Sequence, residues 1–430
     1  MDKIGAMGET AIFEQVMGFA PGRAEEVLRE APAGCGVFAL YGAGEGDRPY
    51  LAKSGNIRRR LQRLLEPSEG QTKRLNLRDR IARVAWSRTG SDFESVLLLY
   101  RASSKAFGRD ETRKRLKLYP PYVVRFTVEN RFPRMYVTSR LGRRTLHTSY
   151  GPFASRASAE RYVDGVNELF HLRRCHEELV PFPEHPGCAY GEMKKCSAPC
   201  QARVTDDEYR AEADAVLEFL ATRGESLLEK IAAERQKASE DMEFEAAAAA
   251  HEHYVEVKAT ASLAGELVRP LDQLRGVVFL PAADDAGAAQ IWLMQGGCLH
   301  GPERFSTLGV RLAKEQAEVG SSLFAQPLML EAVPLEGPAA TGESAEERLL
   351  GAIARLESGQ QPHDVATMAD HLAMLKRWYY RPEAKRIGVM CFPEGDTWPV
   401  RKMVRMAAKV GLKSIPAATA DVAEAAPERG

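Results

Sequence analysis

Four cysteines, Cys175, Cys188, Cys196 and Cys200, follow one another with twelve, seven and three residues between them. Four thiolates in one short stretch can hold a metal, and such a set suits tetrahedral zinc or a 4Fe–4S cluster alike. Spacing does not separate the two, although zinc sites more often show paired two-residue gaps. The stretch is dense in Pro, Gly and His and has no apolar period, so a metal would supply the order that its side chains do not. Four reduced thiols in a packed loop is the alternative. Cys35, Cys298 and Cys391 lie elsewhere and read as core residues, and His171, His176 and His185 read as surface or packing residues beside the cluster. A second chemical feature is basic: Lys53, Arg58, Arg59, Arg60 and Arg63 crowd one short segment. Between Lys53 and Arg156 the chain carries 25 Lys plus Arg against 8 Asp plus Glu, although all 430 residues together have no net charge. A surplus of that size makes a polyphosphate such as DNA or RNA the first partner to test, because phosphates supply most non-specific affinity. A solvated basic face without a ligand is the plainer alternative.

The remaining composition bounds the class. Hydrophobic residues at 44% and charged residues at 27% are ordinary for globular proteins and exclude wholesale disorder. The length suggests two to four folded units. No run approaches the roughly 18 apolar residues of a membrane span, and the first residues lack the order of a signal peptide, so no membrane partner and a cytoplasmic location are expected. Seven cysteines, an odd number, argue against a disulfide framework.

The elements that must position these groups follow from apolar spacing. Residues up to about Glu30 read as helical, with Ile12, Phe13, Val16 and Met17 at three- and four-residue spacing. Gly36 to Tyr41 and Pro49 to Ala52 read as a hairpin. Asn56 caps a helix over Ile57 to Leu65 that turns Ile57, Leu61, Leu64 and Leu65 inward and leaves its arginines outside. A strand at Val84 to Ser87, a helix from Asp92 and a basic connector from Ala106 to Leu118 complete a small α/β module. Beyond it come strands at Val123 to Val128 and Arg134 to Ser139, a turn at Tyr150-Gly151-Pro152-Phe153 and a helix from Ser158 to Phe170. From Asp206 to about Leu267 the chain reads as almost continuous helix, broken at Arg223-Gly224. A three-stranded meander after Arg275, helices near Glu346 to Leu356 and Val365 to Trp378, a strand at Ile387 to Cys391 and a helix at Val400 to Val410 follow. The tail from Ile415 reads as disordered.

The hairpin of Gly36-Val37-Phe38 and Tyr50-Leu51-Ala52 with Lys53 and the arginine-rich helix resembles a GIY-YIG nuclease module. Its order with Tyr150-Gly151-Pro152-Phe153, the four cysteines and a helical segment carrying Ala238-Ser239-Glu240 and Glu243-Phe244-Glu245 resembles the N-terminal two thirds of the UvrC family, over roughly Gly34 to Leu267. That resemblance implies a role in bacterial nucleotide excision repair, DNA as substrate, a UvrB-like helicase subunit as partner and an iron–sulfur cluster on the four cysteines, with zinc the alternative. It matches the family's catalytic Tyr, Lys and Arg to Tyr50, Lys53 and Arg60. Three positions depart: Phe38 replaces a Tyr, Ala52 replaces a Gly, and Leu99 stands where the family's metal-binding Glu belongs. A leucine does not ligate Mg²⁺, and Glu94 lies about 140° around the helix from it. The resemblance therefore implies a vestigial nuclease that grips phosphates with Lys53, Arg58, Arg59, Arg60 and Arg63, with Mg²⁺ needed only if cleavage survives. The segment from Leu227 to Tyr254 resembles a UVR motif, with Met242, Phe244, Ala247, Ala248 and His251 as its partner-facing strip, although the usual Arg-Asp pair is His251-Glu252. An internal core strip is the alternative. The C-terminal strands resemble the opening of the family's RNase-H-like domain without an acidic catalytic set, so a shortened chain is expected.

The expected fold is thus mixed α/β in several units: a helical extension over 1–30, a GIY-YIG-like module over 31–118, a strand and helix unit with the cysteine cluster over 119–203, a helical arm over 204–268, a C-terminal α/β unit over 269–414 and a tail over 415–430. The expected function is DNA binding in excision repair with cleavage impaired. The rivals are an active single-nick endonuclease and a regulator that binds only protein.

Overall fold

The computed structural model describes residues 12–44, 46–65, 75–285, 287–308, 310, 343–359 and 364–412. They form a mixed α/β molecule with three four-stranded antiparallel sheets. The tail from Ile415 and the first eleven residues lie outside the described residues. No helix among the described residues is long and apolar enough to cross a membrane.

The first sheet has the order β1 (Gln15–Gly18), β4 (Ile81–Arg88), β2 (Gly36–Gly42), β3 (Tyr50–Ser54). Side chains alternate across it. Phe38, Leu40, Val84 and Trp86 meet α1 (Ala24–Glu30) and the inner stripe of α2 (Ile57–Leu65), whereas Val37, Ala39 and Ala85 meet α3 (Asp92–Phe107) through Leu99 and Ala102. The expected N-terminal helix holds over Ala24–Glu30 and is corrected before it: residues 15–18 are a strand paired with β4 in the register Val16↔Ala85, because so short an apolar run satisfies either period and an open sheet edge decided between them. The basic connector is corrected too. Gly108, at φ +77, closes α3, and α4 (Arg109–Leu116) follows at once.

The second sheet has the order β6 (Met135–Thr138), β5 (Tyr122–Phe126), β7 (Ser149–Phe153), β8 (Arg269–Pro270). The expected turn at Tyr150 to Phe153 is instead β7, held between β5 and β8 and fully buried. α5 (Arg156–Leu169), α7 (Asp206–Ala221), α8 (Glu225–Glu240) and α9 (Phe244–Ser262) share a core with this sheet, and the short α6 (Ala189–Glu192) with its irregular flanks lies between α5 and α7 in the chain. The long helical stretch thus has a second break at residues 241–243. Ile231 and Val257, from the base of α8 and α9, share a core with Phe126, Tyr162, Tyr209 and Phe219.

The third sheet has the order β11 (Cys298–Ser306), β10 (Ala288–Gln295), β9 (Gly276–Pro281), β12 (Val389–Cys391). One face is covered by α10 (Ala345–Ser358) and α12 (Val400–Leu412). The other takes α11 (Val365–Tyr379), which is sandwiched between this sheet and the Phe93, Leu97 and Tyr100 side of α3. Phe93 stacks on Trp378 at 4.8 Å. The Tyr100 hydroxyl donates to Asp370 at 3.1 Å, and Arg113 reaches the same carboxylate at 2.8 Å. Arg377 caps the end of α4 by donating to the carbonyls of Leu116 and Lys117 at 3.2 and 2.7 Å. The first and third sheets are therefore tied through one helix.

Candidate nucleic-acid interface and thiol loop

The turn from β3 into α2 is built by two side chains. The Ser54 hydroxyl donates to the Asn56 carbonyl at 2.7 Å, and Asn56 Oδ1 accepts the Arg59 N–H at 2.8 Å, which starts the helix. Its arginines then separate by role. Arg60 donates to the Tyr50 hydroxyl at 3.1 Å. Arg58 spends its guanidinium on the carbonyls of Ala31 and Arg29 at 2.8 and 3.2 Å. Lys53 is ion-paired with Asp92, which also takes Arg381 at 3.1 Å. Burial opposes ionisation of Asp92, but Lys53 and Arg381 together outweigh it and hold the carboxyl below its ordinary value. Arg59 and Arg63 are exposed. Tyr50, Arg60, Arg59 and Arg63 therefore offer a hydroxyl and three guanidinium groups along β3 and α2, while Lys53 lies on the opposite face of the strand.

The substituted positions are packed. Phe38 is buried, with its ring 6.1 Å from that of Tyr50, and pairs in register with Ala52. Leu99 is 7% exposed, in a cluster with Phe13, Val37, Ala39, Ala85 and Ala102 on the sheet face away from the Tyr50–Arg60 pair. Glu94 is 6% exposed and accepts the Gly90 N–H at 2.8 Å. Burial pushes its carboxyl up to about 7 against the pull of the Gly90 N–H, with Glu14 and Asp284 adding to the rise. The sign follows. The folded protein holds this proton more tightly than the unfolded chain, so the stability tied to it is fully present near pH 4.5 and is lost as pH rises to about 7. That amounts to about 3 kcal/mol. Glu94→Gln is expected to flatten this slope, giving an unfolding free energy close to that of the parent near pH 4.5 and higher at pH 8. Parallel slopes from urea titrations across that range would refute it.

The four clustered cysteines lie on one loop and carry free thiols. Cys196 and Cys200 are buried, Cys175 is half-buried and Cys188 is exposed. Burial pushes the Cys196 thiol up to about 11, with Cys175, Cys188 and Cys200 adding to the rise and the Ala198 N–H, 3.4 Å from its sulfur, opposing it. Burial likewise raises Cys175. The loop is closed by Ser197 N–H to His171 O at 2.9 Å and Phe182 N–H to Cys200 O at 3.1 Å, and it reverses through left-handed Lys194, Ala198 and Ala202. The thiols share one electrostatic neighbourhood, yet among the described residues no three His, Cys, Asp or Glu side chains stand close enough to hold a metal ion.

At the tip between α8 and α9, Met242 is 76% and Phe244 74% exposed. Ala248 is exposed and Ala247 half-buried. His251 is turned to the neighbouring helix, with Nδ1 3.3 Å from Arg235. Val255, eleven residues beyond Phe244 and on the same helix face, extends the exposed apolar stripe. Its i+11 spacing was the available sequence signal.

Comparison with known proteins is consistent with this geometry. A family model described as the UvrC/Cho excinuclease middle domain matches residues 122–219, which contain the whole thiol loop and all but the last two residues of α7. UvrABC system protein C of Carboxydothermus hydrogenoformans is 26% identical over 353 residues, covering 78% of this chain and 54% of that protein. The chain is similar to UvrC proteins over about three quarters of its length. The protein of the same name from Saccharopolyspora erythraea is 29% identical over 348 residues, covering 75% and 47%, and that of Clostridium beijerinckii is 25% identical over 235 residues, covering 54% and 37%. The chain thus spans about half the length of the curated relatives it matches. No solved structure matches it.

Proposed function

We propose that this chain binds DNA in nucleotide excision repair and that its first module is impaired in phosphodiester cleavage. The observation that carries the reading is Leu99, a packed hydrocarbon at the position where the resemblance puts the metal-holding carboxylate. A developing phosphate charge needs a cation beside it, and that cation needs an anionic oxygen. Arg59, Arg60 and Arg63 remain suited to backbone phosphates, which position without reading sequence. The test combines cleavage and binding. Supercoiled plasmid with Mg²⁺ or Mn²⁺ is expected to stay intact, while duplex affinity falls steeply with salt. The Arg59→Ala/Arg63→Ala double variant is expected to make the logarithmic salt slope shallower by about two. Nicking that Tyr50→Phe or Arg60→Ala abolishes would establish the active endonuclease instead. Salt-independent or absent binding would leave the protein-binding regulator.

Two further parts belong to the proposal. The stripe of Met242, Phe244, Ala248 and Val255 suits helix-in-groove docking on a UvrB-like subunit, with Ala247 and His251 at its inner margin. The thiol loop would take a metal centre on Cys175, Cys188, Cys196 and Cys200 by drawing the four sulfurs closer together than they stand here, a 4Fe–4S cluster in preference to zinc. Support comes from the shared neighbourhood of the thiols, the N–H directed at the Cys196 sulfur, and a loop that accepts three left-handed non-glycine residues at about 1–2 kcal/mol each. Such a centre would supply thiolate bonds that lock the loop, and Cys→Ser at any of the four is expected to loosen it. Anaerobic purification with assay of iron, acid-labile sulfide and zinc checks the assignment. One zinc per chain without sulfide would overturn it.

A further inference from the structure

The segment that joins the first module to the second sheet is held from several sides and yet carries an exposed ring. Arg377 donates to the Leu116 and Lys117 carbonyls at 3.2 and 2.7 Å, and the Leu118 N–H donates to the Arg113 carbonyl at 2.9 Å. Lys117 lies in the left-handed region at φ +51, which reverses the chain at the end of α4. Leu118 is 4% exposed, anchored in the core that α3 shares with α11. Pro120 and Pro121 follow, each with φ fixed by its own ring. Between that anchor and those prolines Tyr119 is 75% exposed, and among the described residues it has no hydrogen bond or ring contact. A ring turned to water on so constrained a backbone is presented to a partner at little conformational cost.

The free charges around the ring are of one sign. Glu129 is the one acid between Thr112 and Ala159, and both its oxygens accept from Arg125 at 2.8 Å. Lys114 and Lys117, just before Tyr119, are exposed, as are Arg140, Arg143 and Arg144. The β5–β6 ladder ends at Val123↔Thr138, so the chain that enters β5 through Tyr119 and the chain that leaves β6 through Arg140 do so at the same end of the sheet. Leu141 and Leu146, beside the arginines, pack on the same core as Leu116 and Leu118. Among the described residues none of these five cations is ion-paired. Such a set asks for a chain of anions, and the ring asks for a flat partner. A nucleic-acid strand supplies both, provided its bases are unpaired, because a duplex keeps their faces stacked inside. An acidic peptide would leave the ring unused. We propose that this corner binds a single-stranded nucleic acid, with one base stacked on Tyr119 and the flanking phosphates held by Lys114, Lys117, Arg140, Arg143 and Arg144. The surface lies on other elements than Arg59 and Arg63 of α2 and does not depend on their holding duplex DNA.

Fluorescence anisotropy of the full chain with a short labelled oligothymidylate, and with a duplex of equal length, tests the surface. Tyr119→Ala is expected to weaken the single strand about tenfold and to leave the duplex within about twofold, whereas Tyr119→Phe keeps the strand affinity. The Arg140→Ala/Arg143→Ala/Arg144→Ala triple variant is expected to make the logarithmic salt slope for the strand shallower by about two. Ultraviolet cross-linking to a strand carrying 5-iodouracil, followed by peptide mapping, is expected to place the adduct on Tyr119. The Arg59→Ala/Arg63→Ala variant separates this surface from that of α2: strand binding kept there supports the corner even if duplex binding is never seen. Strand binding abolished in Arg59→Ala/Arg63→Ala would overturn the proposal. So would a strand affinity unchanged in Tyr119→Ala, an equal loss of strand and duplex in that variant, or polyglutamate bound with the same dependence on Tyr119.

Discussion

Gly90→Ala is expected to destabilise the protein by about 3 kcal/mol or more, at the upper end of overpacking effects. The added methyl would sit 1.7 Å from the Pro281 carbonyl oxygen and 2.5 Å from its carbon, and both neighbours are backbone, so neither swings aside. The strain is relieved only by parting the first sheet from the third. Parting them exposes the Phe93–Trp378 stack, the Asp370 carboxylate shared by Tyr100 and Arg113, and the Arg101 bond to Gly301. Urea titration with amide exchange followed in α3 and α11 measures this. An unchanged midpoint with unchanged protection in those helices would show that the two sheets are not in contact there.

Leu99→Glu is expected to be as severe, at about 3–5 kcal/mol near pH 8. The new carboxylate would lie among Phe13, Val37, Ala39, Ala85 and Ala102, side chains that offer no hydrogen bond. Burial would raise its pKa, so the loss is expected to shrink as pH falls toward the ordinary carboxylate range of about 4. Leu99→Met, close in volume, is the control and is expected to cost under about 1.5 kcal/mol. Because Leu99 faces away from Tyr50 and Arg60, the carboxylate is expected to unfold the module and not to yield cleavage. A folded Leu99→Glu protein that nicks plasmid with Mg²⁺ where the parent does not would contradict the packing of Leu99 away from Tyr50 and Arg60, while supporting the loss of a carboxylate as the cause of the proposed impairment.

Much of the fold was legible because its signals are local. The stripe of Ile57, Leu61, Leu64 and Leu65, the Asn56 cap and the glycine-rich hairpin before Tyr50 each specify themselves within a dozen residues, as does the lack of period around the cysteines. The failures share a cause of the opposite kind. Gln15–Gly18 is a strand because β4 has an edge to offer. Gly151-Pro152, a turn signal by type, lies in a buried strand because β5 and β8 flank it. The helix from Arg109 is polar on nearly every face and draws its last hydrogen bonds from Arg377, far along the chain. The candidate sites divide in the same way. The cations of α2 were readable as a group, but not that Arg58 serves two backbone carbonyls or that Lys53 is taken by Asp92. The close approach of Gly90 to Pro281 joins segments about two hundred positions apart, and no pattern in either segment points to the other.

The helix shared by the first and third sheets also sets a timetable for synthesis. Tyr100 waits for a partner 270 residues downstream. At about 5–20 residues per second, the ribosome needs on the order of 15–50 s to deliver α11. Throughout that interval Phe93, Leu97 and Tyr100 form an uncovered apolar face on an otherwise finished module, a target for chaperones and for premature association between nascent chains.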